Sequence, residues 1–330
     1  MKKIFIVMSF LLTLGFGSSC TNDITSHVEE QTEIYGTDYN NEFKVLKAKM
    51  DELGYKRFGS DYSRVQTRAS WWKKIYKFVI SVATVDCVTG LAGTGLSGGN
   101  AIVGATVGVL GSVWAGFHQD IFVDPQFAPR RIGGPVNFND STYWLLRDSV
   151  LSNLVVPRPN GLPTTTLDSI GYIHNLVILN MHENHPELFS AENLYQNAFM
   201  DTVNVFVGRA IALNPDSVSN ELYSIPNLVS TCYSIRETIQ TESSIEVAID
   251  SLQSMFPEYT QEFDILSTFL ESLNLETEVD NEHQYFTEVL ALVEESNLPD
   301  NIKEGLRAGL LVAYASQKLW SSGIVLHNHP

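Results

Sequence analysis

The chain is 330 residues long, 44% hydrophobic and 18% charged, with a formal net charge of −17 at pH 7. That acidity excludes nucleic acid as a partner, because phosphate binding needs a basic surface. Three cysteines with no CxxC and no Cys/His ligand spacing exclude a structural zinc site.

Met1-Lys2-Lys3 supplies a positive n-region, Ile4 to Phe16 an apolar or hydroxylated h-region, and Gly17-Ser18-Ser19 small residues before Cys20. This is the order of a secretory signal, too short to serve as a spanning helix. Small residues directly before a cysteine resemble a bacterial lipoprotein signal. That resemblance implies removal of residues 1–19, lipidation of Cys20, and an exported protein anchored at the cell outer membrane or facing the periplasm. The alternative is ordinary cleavage near Ser19 with Cys20 left free. Loss of Lys2 and Lys3 moves the charge from −17 to −19. With Cys20 lipidated, the one disulfide left is Cys87–Cys232, and two buried free thiols are the expected state.

Residues 20–41 are polar and aperiodic, a tether between lipid and body. Phe43, Leu46, Met50 and Leu53 then recur at helical spacing, which predicts an amphipathic helix ending at Gly54. From Lys44 to Lys77 there are ten basic residues against Asp51, Glu52 and Asp61. Such a run can meet anionic lipid headgroups, at about 1 kcal/mol per charge, or pair with the acidic remainder of the chain. The second reading is preferred.

Phe78 to Phe117 holds 40 residues with Asp86 as its one charge and nine glycines. Ser70 predicts a cap for a helix running towards Gly93, Ser97-Gly98-Gly99-Asn100 a turn, and Asn100 a cap for a second helix from Ala101 to about His118. In that second helix Gly104, Gly108, Ser112 and Gly116 recur every four residues, a stripe that lets another helix approach closely. The four interior glycines of this helix, Gly104, Gly108, Gly111 and Gly116, cost about 3–4 kcal/mol of helix propensity, so tight packing must offset them. Each helix is about 27–28 Å long, marginal for a bilayer core of about 30 Å. Asp86 would be costly in lipid, which favours a hairpin packed within protein over one that inserts.

The predicted organisation is therefore a basic helix and Gly-rich hairpin over 42–124, a Pro/Gly linker over 125–140, and an acidic helical domain over 141–330. Helices are expected at about 141–155, 167–185, 191–213 (capped by Ser190), 227–241, 244–256, 259–274, 281–296 and 300–320. Pro186, Pro215, Pro226, Pro257 and Pro299 mark their boundaries. Between Ser190 and Asp300 there are 20 acidic residues against Arg209 and Arg236, read first as solubility of an exported domain and second as a surface for cations or a basic partner. The fold class is all-α.

Three motifs mimic chemistry. Gly93-x-Gly95-x-x-Gly98 has the dinucleotide fingerprint, with Val79–Val85 as its strand and Asp124 near the ribose position. Gly95-Leu96-Ser97-Gly98-Gly99 fits a nucleophile elbow that would place Ser97 with His174 or His283 and Asp168. Both need strands that the downstream helical pattern does not supply. His182 and His185 share a helix end with Glu183 and Glu187, whereas His174 is about 16 Å from His185 and cannot share a metal with it. No catalytic residue, metal or cofactor is expected.

The Cys20 signal, the Trp71-Trp72-Lys73-Lys74 start, the Asp86-led Gly-rich block and Ile170-Gly171-Tyr172-Ile173-His174-Asn175 together resemble uncharacterised exported lipoproteins of the Bacteroidota kind, over about residues 70–200. The block is also similar in composition to glycine-zipper segments. The resemblance carries no activity with it. The expectation is a lipid-anchored cell-envelope protein with an interaction or structural role, bound to membrane through Cys20 and to itself or a protein partner through the hairpin. A membrane-active protein inserting its hairpin (pore-forming or bacteriocin-like) is the first alternative, and a Ser97 hydrolase the second.

Overall fold

The chain reverses direction within four residues at Ser97–Asn100. Here the Gly99 N–H donates to Thr94 O (2.8 Å) and the Gly98 N–H to Gly95 O (3.1 Å). Those two bonds close a Schellman motif, which puts its penultimate residue in the left-handed region. Gly98 meets that demand with φ of +66°, and Gly99 follows at +95°. Asn100 then starts the next helix, its Oδ1 accepting from Ile102 N at 2.9 Å.

The computed structural model describes residues 37–58, 70–116, 141–158, 165–189, 193–213, 215–273 and 279–322. Its helices are α1 (Thr37–Phe58), α2 (Ser70–Leu96), α3 (Ala101–Gly116), α4 (Ser141–Leu151), α5 (Ile170–Asn184) and α6 (Asn197–Ala210). The remainder are α7 (Pro215–Ser224), α8 (Leu228–Thr241), α9 (Ile245–Met255), α10 (Thr260–Leu273), α11 (Val279–Glu295) and α12 (Asp300–Ser322). Among the described residues there is no strand, and the class is all-α. The chain divides into two units, Met1–Asn41 and Glu42–Pro330, so the Gly-rich hairpin and the acidic helices belong to the same unit. Cys20, residues 20–36 of the tether and the whole 125–140 linker lie outside the described residues, whereas residues 37–41, expected as tether, are the first turn of α1.

Inside the second unit α2 packs most extensively on α3 and α12, and α5 covers α3 and α12. Fifteen of the sixteen residues of α3 are buried, so this helix is core on every side. The α2–α3 approach is close because each helix opposes side chains with glycine: Thr89 abuts Gly111, Thr94 abuts Gly104, and a Cβ on Gly93 would come within 2.9 Å of Val107 Cβ. Thr89 and Thr94 return their hydroxyl protons to Val85 O and Gly90 O, both at 2.8 Å. A hydroxyl satisfied within its own helix can be buried without penalty for an unmade bond. α12 uses the same device, with Gly305 under Leu91 and Gly309 under Leu266.

Several boundaries differ from expectation for identifiable reasons. α1 continues past Gly54, because Phe58 extends the Met50–Gly54 stripe and packs edge-on against Tyr285 at 5.1 Å. α6 starts at Asn197 instead of Ala191, since the preceding turn is held from outside: Trp114 Nε1 donates to Leu194 O (2.9 Å) and Arg236 to Tyr195 O (2.9 Å). Ser190 lies outside the described residues. Pro215 opens α7 instead of only ending a helix, a position where its missing N–H costs nothing. Of the basic residues of α1, Lys47 pairs with Asp264 (2.6 Å) and Arg57 with Glu288, two contacts of the acidic-partner kind.

The glycines are not equivalent, and two substitutions separate them. A Cβ on Gly171 would lie 2.6 Å from Leu311 O, a backbone atom of α12 that moves only with its helix. Gly171→Ala is expected to destabilise by about 1–3 kcal/mol. A Cβ on Gly108 would find its nearest neighbour at 3.5 Å, ordinary contact. Gly108→Ala is therefore expected to be neutral or to stabilise by up to about 1 kcal/mol through helix propensity. Urea midpoints at unchanged m-value measure both.

Candidate functional site: a sealed polar junction

The side chains with chemical potential converge in the core, where α2, α3, α5 and α12 meet. Asp86, Ser112, His174, Asn175 and Ser316 are all fully buried there, beside Trp320. The bonding has a direction. An indole N–H only donates, and Trp320 Nε1 donates to Ser112 Oγ at 3.0 Å. The Ser112 proton is thereby directed to Asp86 Oδ2, at 2.8 Å. On the other side Asn175 Nδ2 donates to Ala315 O (2.8 Å), which turns Asn175 Oδ1 towards His174 Nδ1 at 2.8 Å. His174 therefore carries hydrogen on Nδ1, and its Nε2 faces Asp86 Oδ2 at 3.7 Å.

That distance is beyond a hydrogen bond. Among the described residues Asp86 Oδ1, His174 Nε2 and Ser316 Oγ have no hydrogen-bond partner of good geometry. Burial pushes Asp86 far above the usual carboxylate range, offset only in part by the hydroxyls of Ser316 and Ser112 beside it. Burial pulls His174 down to about 4, against a smaller upward pull from Asn175. A buried ion is expensive unless paired, and both shifts favour the neutral forms.

Ser, His and Asp are present here, but not as a hydrolytic triad. In a triad the histidine takes the serine proton and the carboxylate holds its Nδ1–H. Ser112 instead donates to the carboxyl, and an amide holds the imidazole. Ser97 does not join them: its Oγ donates to Gly93 O (2.6 Å) and Thr94 O (3.0 Å) in the hairpin turn. Val79–Val85, the strand both enzyme motifs need, is helix within α2. Asp124 lies outside the described residues.

Asp168, a candidate acid from sequence, belongs to a second buried network. Its carboxylate accepts from Arg307 Nε (2.7 Å), Arg158 Nε (3.2 Å) and Thr165 N (2.7 Å). Arg158 also grips both oxygens of Glu304 (2.5 and 2.7 Å), and Arg307 donates to Val156 O (2.8 Å). Burial would raise the Asp168 carboxyl, but the Thr165 N–H and the two guanidiniums outweigh it and hold it below its ordinary value.

The histidine cluster is dispersed. His182 is buried edge-on to Phe189 at 5.3 Å, while His185 is exposed with its Nδ1 3.0 Å from Glu187. Glu183 accepts from Tyr143 OH (2.5 Å) and Arg147 Nε (2.7 Å). Among the described residues no three His, Cys, Asp or Glu side chains are placed to hold a metal. Cys232 is a free, buried thiol, pushed up to about 12 by burial. A cleft between α1 and the end of α11, lined by Glu42, Leu46, Lys49 and Glu295, encloses about 110 Å³, below the ~300–1,000 Å³ of small-molecule sites.

The stripe picked from sequence meets several partners rather than one. Gly104 abuts Thr94 and Ile170, Gly108 faces Val312 and His174, and Gly116 lies under the Trp320 ring. Ser112 is the polar link already described. Trp320, Ser316 and Asn175 carried no signal as site residues. The usable clue was Asp86 itself: one charge in a long apolar stretch must be satisfied from inside the protein. Among the described residues no helix is long and apolar enough to cross a membrane. No family model, curated protein or solved structure matches the chain.

Proposed function

We propose that the protein is a lipid-anchored component of the cell envelope, exported and held at the outer membrane or periplasmic face through Cys20. Its helical body serves as an interaction or structural module, not as an enzyme. The observation that carries the second half is the sealing of Asp86, His174 and Ser112 in the core, where their polar atoms meet each other and not a cleft. A reacting group must reach substrate, and these do not. The small residues of α3 act, on this reading, as a glycine-zipper-like packing surface for the protein's own helices. An external partner then meets other surfaces, such as Trp144 and Leu145, 45% and 71% exposed on α4.

Metabolic labelling with a clickable fatty acid tests the anchor. Wild type is expected to take up label and sediment with membranes, and Cys20→Ser to lose both. Label retained by Cys20→Ser would sink the lipoprotein reading. Dye release from vesicles by the purified protein would instead favour insertion of the hairpin.

A further inference from the structure

The junction leaves two lone pairs pointing at each other. With Nδ1–H fixed by Asn175, a neutral His174 presents bare Nε2 to Asp86 Oδ2, 3.7 Å away, while Ser112 donates to that oxygen from the far side. An ionised Asp86 opposite a neutral His174 would put negative charge against a lone pair in a dry core.

No neighbouring cation relieves this among the described residues. α3 carries no charge. On α12, Lys303 is bound to Glu294 O, Glu304 to Arg158, Arg307 to Asp168 and Lys318 to Ser152 O. On α5, Glu183 is bound to Tyr143 and Arg147, and His182 lies against Phe189. The lysines of α2, Lys73, Lys74 and Lys77, precede Asp86 by nine residues or more, about 13 Å along the helix. Arg236 of α8 is bound to Tyr195 O, Glu237 and Asp250 are exposed, and Glu262 of α10 lies beside Tyr259 near Gly95.

We propose that Asp86 keeps a proton in the sealed core opposite a neutral His174, and that this proton keeps the α2–α3 hairpin seated against α5 and α12. Both side chains are fully buried and 3.7 Å apart, with no cation beside them, so the uncharged form of each is favoured.

The pair then has an unusual effect on stability. In the unfolded chain the two groups titrate near their ordinary values, about 3.9 and 6.5. From about pH 4 to 6.5 the unfolded pair holds one proton, on histidine, and the folded pair holds one, on aspartate. Folding moves the proton without taking one up, and the pair contributes no pH dependence. Above about 6.5 the unfolded pair holds none while the folded pair keeps its own. Stability therefore falls as pH rises, until Asp86 ionises and the junction loosens.

Two spectra of the purified wild-type protein at neutral pH test this directly. With aspartate carboxyls isotopically labelled, the infrared spectrum is expected to show the carbonyl stretch of a protonated carboxylic acid. With histidine nitrogens labelled, His174 is expected to give the neutral Nδ1–H pattern. In Asp86→Asn, which keeps the shape and offers an N–H to Nε2, the alkaline decline in Tm should become shallower and the carboxylic-acid band should vanish. An imidazolium pattern for His174, or no protonated-carboxyl band in wild type, would overturn the proposal.

Discussion

Replacing Asp168 with alanine is expected to lower stability by about 3–5 kcal/mol, the usual result of removing one partner from a buried ion pair. The cause is what the substitution leaves behind. Arg307 is 1% exposed and Asp168 fully buried, so the guanidinium would remain in the core without the carboxylate that its Nε meets at 2.7 Å. Arg158 would lose its hold there too, and with it the clasp between the Thr165 turn and Glu304 on α12. The wild-type carboxyl is held below its ordinary value. Its contribution is thus complete above the unfolded value of about 3.9 and lost as pH falls through the folded one. The gap in urea midpoint between wild type and Asp168→Ala should be full at neutral pH and narrow in acid. A joint change of Asp168 and Arg307 to apolar residues of similar volume should cost much less than Asp168→Ala alone, since no unpaired charge remains. An equal cost would show that packing, not charge, governs the site.

Trp320→Ala should cost a similar amount, about 3–5 kcal/mol for a buried tryptophan. The ring fills the space above Gly116, and its N–H orients Ser112. Gly116→Ala alone drives a methyl group into that ring and is expected to cost about 1–3 kcal/mol. In the Trp320→Ala background the obstruction is gone, and the same substitution should become neutral or gain up to about 1 kcal/mol of helix propensity. Chemical denaturation of the four proteins gives the coupling as a double-mutant cycle. Additive costs would show that the ring moves aside and that Gly116 is not fixed by Trp320.

How much of this was legible depended on how local the cause is. The turn at Ser97–Asn100 was readable because its hydrogen bonds lie within six residues and require left-handed backbone at Gly98. The Asn100 cap and most helices of the C-terminal half followed from apolar periodicity and proline positions for the same reason. What escaped was set by distant partners. The start of α6 is decided by Trp114, 80 positions before the carbonyl it binds. α7 was missed because Pro215 reads as a breaker, although proline is at home in a first turn.

The junction was half visible. Ser112 stood out as a packing residue, His174 as part of a histidine cluster and Asp86 as a lone charge, yet nothing in their spacing joins residues 86, 112 and 174. The Arg158–Asp168–Arg307 network was less visible still. Pro157 to Gly161 read only as a helix break, and Arg307 lies 139 positions from its carboxylate. Periodicity reports which face of a helix is buried, not which helix it is buried against.

The seating of α3 against α12 sets the timing of the protein's own birth. The indole that caps Gly116 and anchors Ser112 is supplied 208 positions later. At roughly 5–20 residues per second, a ribosome needs about 10–40 s to traverse that interval. For that time the α2–α3 hairpin exists without α12, one of the helices that cover it. Until synthesis nears its end, the nascent chain carries an apolar surface on α2 that only α12 goes on to cover.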